Sequence, residues 1–473
     1  MILKISKEKF IVIFVASILY SFICCALDYN LIFSTVMISC SLFIGLTCIF
    51  DWTSSVLSIR NIFFILFFGC GVYLRYFVIL CWPDEFCNFI YTKVEMKAGN
   101  YTNASSIILL VTMIFAAVYL FNSKKRYYAA FNKKDDTRYA QSTSYVVNYT
   151  VLNVIWVVAA TFVYAYNIIN VQTAVNLTSF HQLDFLTTII RNIVRAISYT
   201  NLLAYFHDKT KKGNLAIYVI FFVLDCYVSF IQAWKGKIIY EILAFLVLYC
   251  YSGKRLKIKQ IGIFALLVLI IYPSITIYRD ILFERSSYSL GISGILSYLK
   301  EENLFIIISE RYAYYDEIFH CVNLAAKVIS NYLAECGTIV QMFFSSIIPR
   351  FLWPNKPSVA QGLYITWNIF GKPYNTSSTI TYVGDAFLSY GYVGVAIVTF
   401  FYSLLLKNRD WIVYLKDDFE TSCKTVMSFI FLTFMEGALA GKFVTVIATY
   451  ILLSVCRKIS KRNEVITNVE ELE

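Results

Sequence analysis

Long apolar segments alternate with short polar segments along most of the chain. About twelve of them are candidates to cross a hydrocarbon layer of roughly 30 Å, which takes about 20 helical residues. They lie near residues 10–27, 31–50, 61–82, 104–122, 148–169, 185–206, 214–233, 238–251, 260–278, 386–406, 425–440 and 443–456. Because only helices and closed barrels can span a bilayer, the pattern predicts an all-α polytopic membrane protein with about 12 transmembrane helices. The segments at 238–251, 425–440 and 443–456 are short for a full crossing.

The composition agrees with this pattern. Of the 473 residues, 59% are hydrophobic, 18% are aromatic and only 15% are charged. A water-soluble domain of this length needs a larger polar surface, so the soluble globular classes are excluded. The N-terminal stretch resembles a signal peptide, but no convincing small-residue cleavage site follows it. We interpret it as an uncleaved first span.

The distribution of Lys and Arg predicts how the chain is oriented. Loops rich in these residues stay in the cytoplasm, and they lie near 122–138, 207–213, 252–259, 407–416 and 457–462. The alternate loops around Asp28 and at 171–182 contain no Lys or Arg. We therefore expect both termini in the cytoplasm. The net charge of +11 is spread among short loops, which argues against a nucleic-acid partner.

One segment interrupts the alternation of span and short loop. Residues 279–385 form a predicted external loop of roughly a hundred residues between the ninth and tenth spans, and loops of this length are usually functional. The predicted domains are residues 1–278 with spans 1–9, the loop 279–385, and residues 386–473 with spans 10–12 and a cytoplasmic tail. Helical apolar spacing inside the loop predicts amphipathic helices at the outer membrane face. Residues 358–385 are rich in Gly, Ser, Thr, Asn and Tyr, which suits either a sugar ligand or an ordinary exposed loop.

Several short sequences, taken in order, resemble a known family. They are "AWKGK" (Ala233–Lys237), "RYAYYD" (Arg311–Asp316), "SSIIPRFLWPNKP" (Ser345–Pro357), "NTSSTITYVGDAF" (Asn375–Phe387) and "SYGYVGVAI" (Ser389–Ile397). Together with the late external loop, they are similar to the bacterial O-antigen and repeat-unit oligosaccharide polymerases, the Wzy-type integral membrane glycosyltransferases.

This resemblance implies a polymerase of the bacterial inner membrane that acts in lipopolysaccharide biosynthesis. It would move a growing glycan from undecaprenyl diphosphate onto the next lipid-linked repeat unit at the periplasmic face, and a chain-length regulator is a possible protein partner. An O-antigen ligase would share the same features. A flippase of lipid-linked oligosaccharide is the non-enzymatic alternative, but such transporters usually contain internal repeats, and we find none in the sequence.

A diphosphate leaving group requires fixed cations outside the membrane. Arg350 is the first candidate for this catalytic and diphosphate-binding role, because the flanking prolines and Trp353 restrict its backbone. Lys356 is the second. The alternative is a rigid turn at the membrane interface, in which Trp353 anchors the chain and Arg350 reaches towards water.

Three further cations lie near the predicted external face. Arg311 is a candidate for diphosphate binding, or for pairing with Asp316 inside the loop. Lys235, in the "AWKGK" hairpin, departs from the positive-inside trend and so calls for an outside ligand, unless the charge bias of so short a loop is too weak to matter. Arg279 lies where a substrate headgroup would arrive, although interfacial arginines are also common.

Two arginines lie inside the sixth predicted span. Arg191 and Arg195 are one helical turn apart and share one face. Each costs about 2.5–3.5 kcal/mol at mid-span on insertion scales, so both should face the bundle interior or a wet cavity. Two roles stay open for them, a cationic wall for diphosphate and structural pairing with Asp225 or Glu241.

The acceptor hydroxyl benefits from a general base. His320 is the single histidine of the predicted loop, and Asp385 ends its Ser/Thr-rich stretch, so both are candidate catalytic residues. The predicted loop contains no DxD motif and no His/Cys cluster, which predicts a metal-independent transferase without a cofactor. The cysteines are scattered, and a bridge between Cys321 and Cys336 is left open.

Overall fold

The structure is a computed structural model that describes residues 7–50, 59–83, 96–120, 146–169, 183–232, 235–252, 258–282, 291–301, 312–348, 351–357, 364–365, 380–409, 418–436 and 439–462. Within these ranges the chain is mostly α-helical, with a π-helical stretch at Phe64–Leu74, short 3-10 turns, connecting turns and one antiparallel pair of two-residue strands. In chain order the elements are α1 (Lys7–Leu27), α2 (Ile32–Phe50), α3 (Ile59–Cys81), α4 (Ala98–Leu120), β1 (Val146–Val147), α5 (Tyr149–Ile169), α6 (Leu183–His207), α7 (Lys212–Ile231), α8 (Lys235–Tyr251), α9 (Ile258–Leu282), α10 (Ile292–Glu301), α11 (Tyr314–Val322), α12 (Ala326–Cys336), α13 (Ile339–Ile347), α14 (Tyr382–Arg409), α15 (Asp418–Leu432), α16 (Leu439–Ser460) and β2 (Lys461–Arg462).

Eight of the described helices are long and apolar enough to cross a membrane. They are α1 to α5, α7, α14 and α16. This confirms a helical membrane protein, whereas the predicted number of twelve spans is not confirmed. The other four predicted segments also contain helices, namely α6, α8, α9 and α15. Of these, α6 contains two arginines, and α8 and α15 are only 17 and 15 residues long.

The predicted span at 425–440 is not one continuous helix. Helix α15 ends at Leu432, and the 3-10 turn Thr433–Met435 leads into extended backbone at Glu436. The hydroxyl group of Tyr314 donates a hydrogen bond of 2.8 Å to the carboxylate of Glu436. The chain therefore bends where this segment had been expected to continue straight.

The helices belong to two compact units. Unit 1 comprises Met1–Asn122, Glu284–Asp410 and Ile430–Val444, and unit 2 comprises Ser123–Phe283, Trp411–Phe429 and Thr445–Glu473. The large predicted loop falls almost entirely within unit 1.

Small hydroxyl side chains hold the first helices of unit 1 together. Ser34 of α2 bonds Ser105 of α4 at 2.6 Å, and Ser41 of α2 bonds Thr112 of α4 at the same distance. Thr35 of α2 bonds the hydroxyl group of Tyr76 in α3 at 2.9 Å. Small residues let helix backbones approach closely, and hydroxyl groups supply the polar contacts that an apolar medium favours.

The predicted loop contains four short helices, α10 to α13, of 9 to 11 residues each. One of them, α11, does not lie on a surface: it is buried among α3, α4 and α14. Gly71 of α3 permits this approach, because a Cβ atom there would lie 2.8 Å from the carbonyl oxygen of Tyr312. This helix is therefore part of the core of unit 1 and not of an outer platform.

A buried ion pair fixes α11 in that position. The guanidinium group of Arg75 in α3 donates through Nε to both carboxylate oxygens of Asp316, at 3.0 and 2.9 Å, and through a terminal nitrogen to one of them at 2.6 Å. Both side chains are almost completely buried. Arg75 lies inside the third predicted span, and Asp316 is its counter-ion.

We expect Arg75→Met and Asp316→Asn each to lower the free energy of unfolding by about 3–5 kcal/mol, because each variant leaves an uncompensated buried group. The double variant Arg75→Met/Asp316→Leu should recover most of this loss, because it removes both charges. Denaturant titration of the purified protein in mixed micelles measures these changes.

The partly exposed pair Lys424 and Glu420, with nitrogen and oxygen 3.0 Å apart, supplies the control. Lys424→Met should change the free energy of unfolding by less than about 0.5 kcal/mol, because water screens such pairs. Equal losses in the control and in the Arg75 variant would show that burial of the Arg75–Asp316 pair does not stabilise the fold.

Candidate functional site

Unit 2 contains a network of buried charges, which we call the ion cluster and define by Arg191, Arg195, Asp225, Glu241 and Lys237. Nε of Arg191 donates to Oδ1 of Asp225 at 2.6 Å. Arg195 reaches Oδ2 of Asp225 at 3.2 Å and Oε1 of Glu241 at 2.5 Å. The two arginines of α6 are thus bridged to α7 and α8, and the structural pairing that the sequence left open is present.

Two tyrosines complete the surroundings of the carboxylates. The hydroxyl group of Tyr199, one turn after Arg195 on α6, donates to Oε2 of Glu241 at 2.7 Å. The hydroxyl group of Tyr164 in α5 lies 3.3 Å from Oδ1 of Asp225. Both tyrosines are buried. Tyr199 satisfies the oxygen of Glu241 that Arg195 leaves open, and Tyr164 shares Oδ1 of Asp225 with Arg191. An ionised carboxylate is retained in an apolar region only when hydrogen bonds satisfy it in this way.

Lys237 adds a third cation to the cluster. It lies in the first turn of α8, before the predicted span 238–251, and interacts electrostatically with both arginines and both carboxylates. Burial, together with the positive charges of Arg191 and Arg195, lowers the pKa of Lys237 well below its usual value. An anion bound nearby would raise the pKa of Lys237 and so favour the protonated ammonium group.

The formal charges of the cluster do not balance when Lys237 is protonated. Two guanidinium groups face two carboxylates, so these four groups together are neutral. The ammonium group of Lys237 then gives an excess of one positive charge. A site of this kind can accept an anionic headgroup without losing either ion pair.

An apolar groove lies on the outside of α5 and α6 in the same unit. Its lining consists of Val154, Ile155, Val158, Ala159 and Phe162 of α5, together with Ile190 of α6. Ile190 directly precedes Arg191 in the chain. The lining contains no polar surface, so the groove fits a hydrocarbon chain.

His320 of unit 1 lies on α11, one turn after Asp316. Its Nδ1 is 2.5 Å from the carbonyl oxygen of Asp316, and a carbonyl oxygen can only accept. The proton of a neutral ring is therefore on Nδ1, and Nε2 is the basic nitrogen. The side chain is completely buried, so His320 does not face solvent in this structure.

Asp385 is also completely buried, in the first turn of α14. Thr381 caps this helix, because its side chain accepts a hydrogen bond of 3.1 Å from the backbone nitrogen of Gly384. The hydroxyl group of Tyr332 in α12 donates to Oδ1 of Asp385 at 3.2 Å. Burial and the neighbouring Asp385 raise the pKa of Tyr332 well above its usual value, so its phenol stays neutral and acts as the donor.

The two candidate bases have neighbours in common. A Cβ atom at Gly384 would lie 3.0 Å from Sγ of Cys321, which places the residue after His320 against the residue before Asp385. Cys321 and Cys336, for which a bridge was left open, are both free thiols.

Lys356 is half-buried against the end of α13. Its Nζ donates to the carbonyl oxygens of Ser345 and Ile348, at 2.6 and 2.9 Å. These carbonyl groups end α13, so Lys356 caps that helix. Pro357 lies against Gly337, which has a φ of +77° that favours glycine.

For four of the candidate residues predicted from the sequence, the structure does not describe the side chain. Arg350 and Arg311 lie outside the described residues. Lys235 and Arg279 lie on the described helices α8 and α9, and their side chains are not among the described ones. Their predicted roles remain predictions.

Sequence reasoning missed both tyrosines of the ion cluster. Tyr199 follows Arg195 by four residues and so shares its face of α6, which was a signal available in the sequence. Tyr164 had no comparable signal, because it lies on a different helix. Among the described residues, no group of three or more His, Cys, Asp or Glu side chains is placed to hold a metal ion.

A family model described as "Domain of unknown function (DUF8712)" matches residues 135–468, more than two thirds of the chain. The chain belongs to this family. No curated protein and no solved structure matches the chain. The region shared with the DUF8712 family contains the whole ion cluster and helices α10 to α14, whereas Arg75 lies before it.

We expect Asp225→Asn to lower the free energy of unfolding of this DUF8712 member by about 3–5 kcal/mol, because two buried guanidinium groups then share Glu241 alone. Asp208→Asn is the control. This exposed side chain accepts hydrogen bonds from Thr210 in the turn between α6 and α7, and an amide oxygen can do the same. Unfolding in mixed micelles should show a large change for the first variant and none for the second, and wild-type stability of Asp225→Asn would contradict the pairing.

Proposed function

We propose that this protein is an integral membrane glycosyltransferase that polymerises undecaprenyl-diphosphate-linked repeat units, an O-antigen polymerase of the bacterial inner membrane. It would transfer the growing glycan from its lipid carrier onto the next lipid-linked unit at the periplasmic face. A chain-length regulator protein and membrane lipid are the proposed partners. The proposal combines the motif resemblance of the sequence with one structural observation.

That observation is the ion cluster of unit 2. Helices of a membrane protein seldom hold charged side chains without a function, because each such side chain is costly in an apolar medium. Here Arg191, Arg195 and Lys237 interact with Asp225 and Glu241, and protonation of Lys237 makes the cations of the cluster outnumber its carboxylates. An anion bound beside Lys237 favours this protonated form, which supports a role of the cluster in binding the anionic headgroup of a lipid diphosphate.

The reaction explains why cations are needed. The bond between the anomeric carbon and the diphosphate oxygen breaks, and its electron pair goes to the diphosphate. The acceptor hydroxyl oxygen forms the new bond to that carbon, and its proton goes to a base or to water. Fixed cations stabilise the charge that develops on the leaving phosphate, and this is where electrostatic catalysis contributes most.

Two further observations fit this proposal. The apolar groove of α5 and α6 lies in the same unit as the ion cluster and suits an isoprenoid hydrocarbon. His320 carries its basic nitrogen at Nε2, as a general base requires, although it and Asp385 are both buried in unit 1. The general-base role of these two groups remains a prediction.

Lys237 provides a sharp test, because its removal leaves all three arginine–carboxylate pairs in place. In the bacterium that carries the gene, a deletion strain complemented with Lys237→Met should show glycan shortened to core plus one repeat unit. Lys237→Arg, which retains the charge, should restore long chains. Glycan laddering on gels measures the result, and membrane abundance with the thermal unfolding midpoint verifies that both variants fold.

Each outcome separates two explanations. A full glycan ladder from a folded Lys237→Met variant would show that polymerisation does not need the positive charge of Lys237. Loss of long chains in both variants at normal abundance would indicate that the size of the side chain matters and not its charge.

Arg350 gives a second and independent prediction. Arg350→Lys should reduce chain length partially and Arg350→Ala should abolish polymerisation, because a bidentate guanidinium group binds phosphate more strongly than a point charge. The same laddering assay measures both variants. An intact glycan ladder with Arg350→Ala would indicate that the "PRFLWPNKP" segment is a structural turn and does not bind diphosphate.

The deletion strain itself distinguishes the enzyme classes. A polymerase deletion leaves core plus a single repeat unit. Loss of all attached glycan, including the single repeat, would contradict the polymerase and favour a ligase or a flippase.

A further inference from the structure

Helix α13 and the turn after it expose a continuous set of large apolar side chains. Val340, Phe344 and Ile347 recur at the spacing of one helical face, and Phe351 and Leu352 extend this face beyond the helix end. These five side chains are between 49% and 80% exposed. We call them the apolar face. Isolated exposed apolar residues are common, whereas a contiguous set marks a contact surface.

The opposite side of α13 is attached to α14. The backbone nitrogen of Ile339 donates a hydrogen bond of 3.1 Å to Oγ of Ser389. Thr338 and Gln341 form a capping box at the start of α13, and Lys356 caps its end. The helix is therefore held rigidly, and its apolar face cannot turn inwards without breaking these caps.

The attachment point lies near one end of a membrane span. Ser389 directly precedes a break in α14, where Gly391 has a φ of +61°. Ser389 lies in the first third of the candidate span Tyr382–Lys407. Lys407, at the other end, donates to the carbonyl oxygen of Val118 in α4. Helix α13 is thus attached to the half of this span that is remote from Lys407.

The lipid-facing side of α14 continues towards α13. Exposed apolar residues follow the break at the spacing of a lipid-facing helix, namely Tyr392, Val393, Ile397, Phe400 and Phe401. Helix α13 is attached to α14 at Ser389, two residues before Gly391. Hydrocarbon that covers this part of α14 therefore also reaches α13.

We infer that the apolar face of α13 inserts into the bilayer interface and contacts lipid. Its chemistry fits lipid. Helix α13 contains no charged residue, and the apolar face consists of aliphatic and phenylalanine side chains, which insert readily at the boundary between headgroups and acyl chains. Trp353, half-buried directly after Leu352, is the residue type that marks a membrane–water boundary. This inference is independent of the proposed reaction.

Lipid photolabelling tests it directly. The full-length protein is reconstituted into vesicles of phosphatidylethanolamine and phosphatidylglycerol that contain a phosphatidylcholine with a diazirine near the start of one acyl chain. Mass spectrometry then locates the label. We expect label on the peptide that covers residues 340–352, at a level similar to that on residues 392–401 of α14, and none above background on the exposed residue Asn331 of α12.

Variants define the contact further. Phe344→Asp and Phe351→Asp should remove label from the 340–352 peptide and leave the label on α14 unchanged, which also shows that the variant protein is folded. Asn331→Asp introduces the same charge on α12 and should change neither signal.

Two results would overturn the inference. The first is an unlabelled 340–352 peptide in wild-type protein whose α14 is labelled. The second is capture of a second copy of this chain by p-benzoylphenylalanine at position 344 in the same vesicles, with no lipid adduct, which would assign the apolar face to self-association.

Discussion

The cost of holding an ionised side chain away from water determines which helices of this protein must be neighbours. Arg75, Arg191 and Arg195 are each placed in a predicted span, where a charge costs about 2.5–3.5 kcal/mol on insertion scales. Each of them meets a carboxylate on a different helix. In unit 1 this requirement brings α11 against α3, and in unit 2 it joins α6 to α7 and α8. The apolar surfaces alone would allow many packings, whereas charge compensation allows few.

A structural feature could be predicted from the sequence when its signal lies within one short segment of the chain. Apolar length located the helices, and helical spacing put Arg191 and Arg195 on one face, so pairing with Asp225 or Glu241 could be named as one of two alternatives. The pair of Arg75 and Asp316 could not be predicted, because 241 residues separate them and no local pattern connects them. The burial of α11 was missed for a related reason, since apolar spacing is the same for a helix that faces lipid and one that faces protein.

In the candidate site, too, contacts between distant segments could not be predicted from the sequence. The "WPNKP" segment suggested Lys356 as a phosphate ligand, yet its ammonium group caps α13. Carbonyl oxygens at a helix end and phosphate oxygens attract a cation by the same chemistry, and sequence does not distinguish them. The excess charge at Lys237 was visible only after the neighbours of the two arginines were known.

The long separation of Arg75 and Asp316 along the chain has a consequence for biosynthesis. At about 5–20 residues per second, Asp316 is made roughly 12–48 s after Arg75. Helices α1 to α4 are therefore complete while their buried guanidinium group still lacks its permanent counter-ion. During this interval Arg75 requires water or a lipid phosphate as a temporary partner, so unit 1 closes late. Because of this order of translation, the packing of α11 against α3 is the step that excludes the temporary partner of Arg75 and completes the core of unit 1.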